Sequence, residues 1–563
     1  MTPVPPSSAP TIAELVARRA GDPRTAYVFE EQTITYADYV EACAARGAYL
    51  LDHHARDGGD GPLHVGVLLE NVPEFAMWLG AAALTGAAVV GINPTRRGAE
   101  LARDITHTDC QWVVTDRGHE ELLAGLDLGP TSASGRTLVV DGDEYDAELA
   151  PYRRAELPNV PVDESTLFLL LFTSGTSGDP KACLCSQGRL SRMSSVLTQM
   201  LPLTADDVCY QSMPLFHSNA LITAWTPSII AGATSVLRHR FSASGFLPDV
   251  RRHGVTYFNY VGKPLSYILA TPEQPDDADN PLRIGFGNEA ADLDIARFEA
   301  RFGCRVIDGY GSTEGGANIN RTPDMPAGSL GAGVDGMAIL DPETGEESAR
   351  TRFDPKTGGL LNPDEAIGEI VNRNGVVGFE GYYKNDDANS ARVHDGIYWT
   401  GDLGYRDDAG WFYFAGRDYE WLRVDGENFA AAPLERILAR LPEVSLAAVY
   451  AVPDPDVGDR VMAALELRPG AIFDPERFAA FLAEQTDLGT KWAPTFVRVT
   501  EALPVTETSK VLKRVLRRER WECADPVWWH ERGGPYQRLA PGDIDGLRDA
   551  FASRGRLAAL DTG

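Results

Sequence analysis

Positive charge is scarce in this chain. Against 81 Asp and Glu stand 52 Lys and Arg, a formal net charge of −29 over 563 residues. That balance argues against general binding to nucleic acid or to an anionic membrane, since either needs a basic footprint. Cysteine is scarce as well: Cys43, Cys110, Cys183, Cys185, Cys209, Cys304 and Cys523 make seven, and only Cys183 and Cys185 are close together. An odd, dispersed set with no CxxC and no Cys/His cluster offers neither a disulfide framework nor a zinc site, and it fits reduced thiols in a cytoplasmic protein. No apolar run reads as a membrane span. The longest uncharged one, Phe75 to Ile92, is rich in alanine and glycine and contains Thr85, so it reads as a buried helix running into a strand. A secretory leader is also missing: MTPVPPSSAP has no basic region followed by an apolar core, and reads as a flexible lead.

What is present is size, enough for two to four domains and a large core, and one conspicuous stretch. Leu167 to Lys181, LFLLLFTSGTSGDPK, is an unbroken apolar run that stops in a loop of glycines, hydroxyls and one lysine. The run reads as a strand buried on both faces. In the loop, Thr173, Ser174, Thr176 and Ser177 supply donors without bulk, Gly175 and Gly178 let backbone N–H groups approach an anion, and Lys181 can neutralise charge. A Walker loop needs GxxxxGK followed by Ser or Thr, whereas Lys181 follows Pro180 and precedes Ala182. A Ser/Gly-rich turn after a strand also serves as a plain connection, and composition alone leaves both readings open.

Along the chain, a helix at Thr11 to Arg19, a hairpin in TAYVFEEQTITY and a helix from Tyr36 to Leu51 lead into VGVLLE, an apolar helix after Asn71, AAVVGINP, a helix near Gly98 to Thr108, and QWVVTD. Strand and helix alternate, which predicts a parallel sheet with helices on both faces. After Lys181 the alternation resumes with a helix from about Gly188, MPLFHSNA, an apolar helix through Trp225, SVLR, a helix near Phe246 to Arg252, and VTYFNYVG. From Gly328 to Tyr383 short strands and turns predict a small β-rich subdomain. Asp395 to Arg417 continues as hairpins, with Asp407 and Asp408 as turn residues. Beyond Arg417 a compact run of strands and helices predicts a small α+β domain of about 120 residues. The fold class is therefore α/β, a large N-terminal domain of doubly wound sheets plus a β-rich subdomain (1–417), then a small α+β domain (418–535) and a tail (536–563).

Five motifs follow in order: TSGTSGDPK (Thr173 to Lys181), DGYGSTEGG (Asp308 to Gly316), YWTGDLGYRDDAGWFYFAGR (Tyr398 to Arg417), DGEN (Asp425 to Asn428) and PVTETSKVLKR (Pro504 to Arg514). Each alone is weak. Together they resemble the adenylate-forming superfamily of acyl-CoA synthetases, peptide-synthetase adenylation domains and luciferases, over nearly the whole chain. SMPLFHSNA, NYVGKPL, DGENF and the tail from PYQRL are most similar to FadD-type fatty-acid-CoA ligases and fatty-acid transport proteins.

That resemblance implies two steps. A carboxylate attacks the α-phosphorus of ATP to give acyl-AMP and pyrophosphate, and a thiol, usually that of CoA, then displaces AMP. Two anions must meet while a third leaves, so the first step is a problem of charge. By the resemblance, Thr173, Ser174, Gly175, Thr176 and Lys181 hold the β- and γ-phosphates. Asp308, Tyr310, Gly311 and Ser312 belong to the nucleotide motif, with Tyr310 stacking on adenine. Thr313 donates to the α-phosphate, and Glu314 binds Mg²⁺. Asn288 and Glu289 line the adenine site, Asp402 accepts from the ribose hydroxyls, and Arg417 adds a fork of donors near ribose and phosphate. Lys510 bridges the carboxylate and α-phosphate during adenylation and is the principal catalytic residue. By position alone it would be a solvated member of the run Lys510, Lys513, Arg514, Arg517, Arg518 and Arg520.

The small domain is expected to be mobile, bringing Gly426 and Glu427 of DGEN into a channel for CoA or another second substrate in place of Lys510. Relatives often carry Asp or Lys at the hinge, where this chain aligns Tyr419. His217, Tyr260, Val261 and Gly262 are expected to line the acid pocket, with His217 as its gate. Nothing in these motifs fixes the acid or the nucleophile. The alternative is a secondary-metabolite enzyme with the same ATP handling, such as an amide ligase or a diazotase that activates nitrite for an aryl amine. Partners are thus ATP and a small acid, with no nucleic acid and no integral membrane span.

Overall fold

In the computed structural model the described residues are 9–560 apart from 57–60, 132–135, 174–180, 263, 289, 291, 323, 327, 343, 354–359, 418–420, 425–426, 456–458, 486–487, 489–491, 506–510, 531–533 and 555. They divide into two compact units, Met1–Gly316 with Val376–Val393, and Ala317–Gly375 with His394–Gly563.

The first unit holds two sheets. Its strands in chain order are β1 (Thr25–Phe29), β2 (Gln32–Thr35), β3 (His64–Leu68), β4 (Ala88–Gly91), β5 (Trp112–Thr115), β6 (Thr137–Val139), β7 (Leu167–Thr173), β8 (Lys181–Ser186), β9 (Val208–Gln211), β10 (Thr234–Leu237), β11 (Tyr257–Val261), β12 (Ile284–Asn288) and β13 (Arg305–Asp308). One sheet runs β13-β12-β11-β9-β10-β1-β2 and the other β6-β5-β3-β4-β7-β8. All neighbours are parallel except β2 on β1 and β8 on β7. Their sequences explain this: HVGVL, AVVG, WVVT and YFNYV are buried at every position, as strands covered on both faces must be. The apolar run from Phe75 resolves into the helix Pro73–Thr85, which starts on proline, ends at Gly86 with φ +72°, and leads into β4. Among the described residues no helix is long and apolar enough to cross a membrane.

Two local expectations give way to geometry. The strand expected near MPLFHSNA lies earlier, at Val208–Gln211, and Met213 to His217 form a loop. Buried Asn71 stitches that loop down, its Nδ2 donating to the Met213 carbonyl and its Oδ1 accepting from Leu215 N, each at 2.8 Å. The stretch 376–383, expected within the β-rich subdomain, packs on the first unit instead. Strand β8 is the edge of its sheet, so its outer backbone groups need partners. Gly381 to Tyr383 supply them: Leu184 N donates to Gly381 O (2.9 Å) and Tyr383 N to Ala182 O (2.8 Å), with Tyr382 opposite Cys183.

The second unit begins with an antiparallel sheet whose strands run in the order Asn318–Asn320, Gly331–Gly333, Trp411–Arg417, Ile397–Arg406, Gly368–Asn372 and Met337–Leu340. The turn expected at Asp407 is there, with Asp407 Oδ1 accepting from Trp411 N at 2.9 Å. The hairpin Trp421–Val424 with Glu427–Ala430 leads to the helix Ala431–Leu438 and a five-stranded sheet. Its strand Val444–Pro453 separates two cores by simple alternation. Ala447 and Val449 pack with Leu434 and Leu438, while Ala448, Tyr450 and Val452 pack with Leu516 and Trp521. The segment expected as a tail joins the latter core through Leu547 and Phe551 of the helix Pro541–Ser553.

Candidate active site

The loop of the opening motif leaves β7 at Thr173 and re-enters at Lys181. These two residues are register partners in the antiparallel β7–β8 pair, so both anchors of the loop are fixed to the same point of the sheet. Ser174, Gly175 and Thr176 lie outside the described residues. Lys181 is half-buried, with Nζ 5.6 Å from the centroid of the Tyr382 ring. Burial and then Arg392 lower its pKa, against the pull of Glu314. That last carboxylate is the centre of the cluster. It is 8% exposed, and Oε1 accepts from the Tyr382 hydroxyl at 2.8 Å, while Arg392 Nε donates to the same phenolic oxygen at 3.2 Å. Burial works to raise the Glu314 carboxyl. The hydrogen bond from Tyr382, the Arg392 charge and bonds within its own turn outweigh that, so Glu314 is held below the ordinary carboxylate range. Tyr382 itself is pushed up by burial and by Glu314, so it stays a phenol and a donor.

Thr313 sits beside this cluster. Its hydroxyl is 2.7 Å from Ser218 Oγ, and its carbonyl accepts from buried Arg189, whose Nη1 also donates to Leu184 O in β8 (2.6 Å). Arg189 therefore ties the strand that starts at Lys181 to the turn that carries Glu314. Neighbouring Cys183 is pushed up by burial to about 12, which keeps it a thiol and out of nucleophilic chemistry.

The second part of the site lies at the carboxyl ends of β11, β12 and β13, where open parallel sheets bind ligands. Asn288 ends β12 and donates through Nδ2 to Gly309 O (2.5 Å), directly ahead of Tyr310 and Gly311. Ser312 is exposed, and its carbonyl accepts from Gly315 N (3.1 Å) to close the turn. Gly262, at φ +71°, donates to Asn288 O (2.9 Å) just after Val261. His217 precedes the short helix Ser218–Ala220, its ring 4.3 Å from that of Phe216. The Tyr260 ring lies in the core with Phe246 and Phe258, its hydroxyl donating to Asp308 Oδ2 (2.9 Å). Alternation along β11 presents Asn259, not Tyr260, to the helix that follows His217. Asp308 is 6% exposed and also accepts from Ala290 N (3.0 Å), so it braces the sheet ends. Glu289 lies outside the described residues.

In the second unit, Asp402 and Arg417, fifteen residues apart, are register partners across two antiparallel strands. Asp402 N donates to Thr400 Oγ1 (3.0 Å), and Thr400 Oγ1 to Ile370 O (2.6 Å). Lys510 and Gly426 lie outside the described residues, and Glu427 is described only as the start of a strand. Tyr382, Arg392, Ser218, Asn219 and Arg189 escaped the sequence. The contact of Tyr382 with Glu314 spans 68 positions without a spacing signal, whereas HSN after MPLF did display its hydroxyl and amide.

A divalent ion fits this donor set. Among the described residues no group of three or more His, Cys, Asp and Glu could hold a metal alone. One buried carboxylate kept ionised beside a lysine matches Mg²⁺, which is commonly held by one or two carboxylates together with substrate phosphates.

The profile described as AMP-binding enzyme matches residues 14–383, and that described as AMP-binding enzyme C-terminal domain matches 433–510. A steroid-22-oyl-CoA synthetase of Rhodococcus jostii is 52% identical over 555 residues, 98% of this chain and 99% of the relative. The medium/long-chain-fatty-acid–CoA ligase FadD17 of Mycobacterium tuberculosis is 50% identical over 520 residues, 92% and 98% of the two chains. Among solved structures, ATP-bound MatB from Rhodopseudomonas palustris superposes with a TM-score of 0.76 at 25% identity, covering 90% of this chain and 98% of its own. The chain therefore belongs to the AMP-binding family of adenylate-forming enzymes, among its acyl-CoA ligases.

Proposed function

We propose that this chain activates an apolar carboxylic acid with ATP and transfers the acyl group to CoA. The observation that carries the reading is the cluster about Tyr382, with Glu314 and Arg392 on its hydroxyl and Lys181 against its ring, beside Thr313. It combines cationic groups for a leaving polyphosphate with one ionised carboxylate for a divalent ion. In the first step a carboxylate oxygen of the acid bonds to the α-phosphorus, and the bond to the bridging oxygen of the β-phosphate breaks. Lys181 stabilises the pyrophosphate as it gathers charge, and Thr313 donates to the α-phosphate. Glu314 would hold Mg²⁺, whose charge, when bound, offsets that of the triphosphate. Lys510 meets the new negative charge at the α-phosphate. Asp402 and Arg417 are assigned to the ribose side of the nucleotide. In the second step the CoA sulfur bonds to the acyl carbon and AMP leaves. Residues 418–535 act as the mobile domain that exchanges Lys510 for the loop of Gly426 and Glu427 between the steps.

That relatives at about half identity act on medium- or long-chain fatty acids and on a steroid side-chain acid supports reading the acid as one of that class. The test is a mass-spectrometric screen in ATP and Mg²⁺, with and without CoA, over octanoate, dodecanoate, hexadecanoate and a C22 steroid acid. AMP release with formation of the matching acyl-CoA is the expected result. AMP release that ignores CoA and every acid but needs nitrite with an aryl amine would overturn the reading.

A further inference from the structure

The segment Gly309 to Thr313 is held at both ends by the first two residues of the short helix Ser218–Ala220. At one end Ser218 Oγ meets Thr313 Oγ1 at 2.7 Å. At the other, Asn219 Nδ2 donates to Asn288 Oδ1 (3.3 Å), and Asn288 Nδ2 donates to Gly309 O (2.5 Å). The Asn219 carboxamide is fully engaged: Nδ2 also donates to the Tyr260 carbonyl (3.1 Å), and Oδ1 accepts from Asn259 Nδ2 (2.8 Å). Its carbonyl accepts from Thr223 Oγ1 (2.7 Å), whose own carbonyl accepts from the Tyr257 hydroxyl (2.6 Å). Hydrogen bonds and backbone thus close a ring through Ser218, Asn219, Asn288, Gly309 and Thr313, with the acid-side strand β11 attached at Tyr260.

We infer that Ser218 and Asn219 are positioning residues that couple the acid side of the site to the nucleotide turn. The inference rests on the reading of Thr313 as a donor to the α-phosphate. Both residues follow His217 directly, so a displacement of that loop by an acid reaches Thr313 through one hydroxyl contact and Gly309 through two amides. In the half-buried setting of these groups, each bond restricts its partner to one orientation. Ser218 fixes the rotor of Thr313, and Asn219 fixes the distance from β11 to the turn.

The test reads kcat and both KM values from pyrophosphate release, ATP binding with Mg²⁺ by calorimetry in the presence and absence of the best acid of the panel, and thermal unfolding. Ser218→Ala is expected to lower kcat about 3- to 10-fold, the effect of one lost hydrogen bond, with KM values within about twofold, and Ser218→Thr to recover most of it. Asn219→Asp keeps the shape but sets a carboxylate oxygen against the Tyr260 carbonyl and Asn288 Oδ1. It is expected to lower kcat at least about tenfold and to abolish the effect of acid on ATP binding. Folded variants with wild-type kcat and wild-type coupling overturn the inference, as does a Ser218→Thr variant no better than Ser218→Ala. A loss confined to thermal stability overturns it too. A wild-type protein that binds ATP yet releases no pyrophosphate with any acid overturns the proposed function along with it.

Discussion

Replacing Tyr382 by phenylalanine removes one oxygen from the structure and leaves the ring over Lys181. That oxygen donates to Glu314 Oε1 at 2.8 Å and accepts from Arg392 Nε at 3.2 Å. A hydrogen bond to a charged group contributes about 1.5–3 kcal/mol, a factor of about ten to a hundred in an equilibrium. The Arg392 charge remains, which sets the expectation at the lower end: KM for Mg·ATP rises about tenfold. The pH dependence carries the sharper signature. Glu314 is held ionised below its ordinary range, so the contribution of its charge is present above the folded pKa and lost as pH falls through it. Without the Tyr382 donor, burial raises the carboxyl, and the acidic limb of kcat/KM for ATP moves to higher pH. Excess Mg²⁺ should pull it partly back. Pyrophosphate release measured against pH at low and high Mg²⁺ reads all three effects. A folded variant whose acidic limb and Mg²⁺ requirement match those of the wild type would refute the role given to Tyr382.

Lys510→Ala is expected to abolish acyl-AMP formation nearly completely while sparing conversion of supplied acyl-AMP with CoA, and equal loss in both half-reactions would sink the assignment. Lys181 is depressed by burial and Arg392, so its charge is present below the folded pKa and lost as pH rises through it. ATP affinity should therefore weaken on the alkaline side, and Lys181→Arg should shift that limb upward in a KM–pH profile. Gly287→Ala would put a Cβ 2.4 Å from the Tyr260 carbonyl and 2.5 Å from its ring. Overpacking of that kind costs about 1–3 kcal/mol, to be seen as a lower urea midpoint. In the second unit, Arg498 is 8% exposed between Glu519 and Asp525, both at 2.6 Å. Arg498→Ala leaves two partly exposed carboxylates without this partner and, with solvent screening them, is expected to lower stability by about 1–3 kcal/mol, read by denaturant titration.

Periodicity made the doubly wound architecture legible, because strands covered on both faces carry short continuous apolar runs while helices such as Gly98–His107 and Ala243–His253 bury only a few residues of one face. It failed at β8, whose KACLCS is short and buried at four of six positions without a strict two-residue repeat. It also failed at 376–383, where placement depends on the unpaired edge of a strand nearly 200 residues earlier. Glu314, Thr313 and Lys181 were legible as motif members and do cluster. The environment that tunes them was not, since Tyr382, Arg392 and Arg189 reach the cluster only through tertiary contacts. Motif position also gave no sign of what Tyr260 packs against, because strand alternation decides which face a side chain sees and sets its ring beside Phe246 and Phe258.

The return of Tyr382 to β8 bears on how such enzymes can be recombined. The first unit is discontinuous in sequence, so a crossover placed between Gly316 and Val376 inherits Lys181 and Glu314 from one parent and the phenol between them from the other. Chimeras that treat everything after Gly316 as one exchangeable block draw this triad from two parents. Boundaries that carry Val376–Val393 along with Met1–Gly316 keep it of single descent.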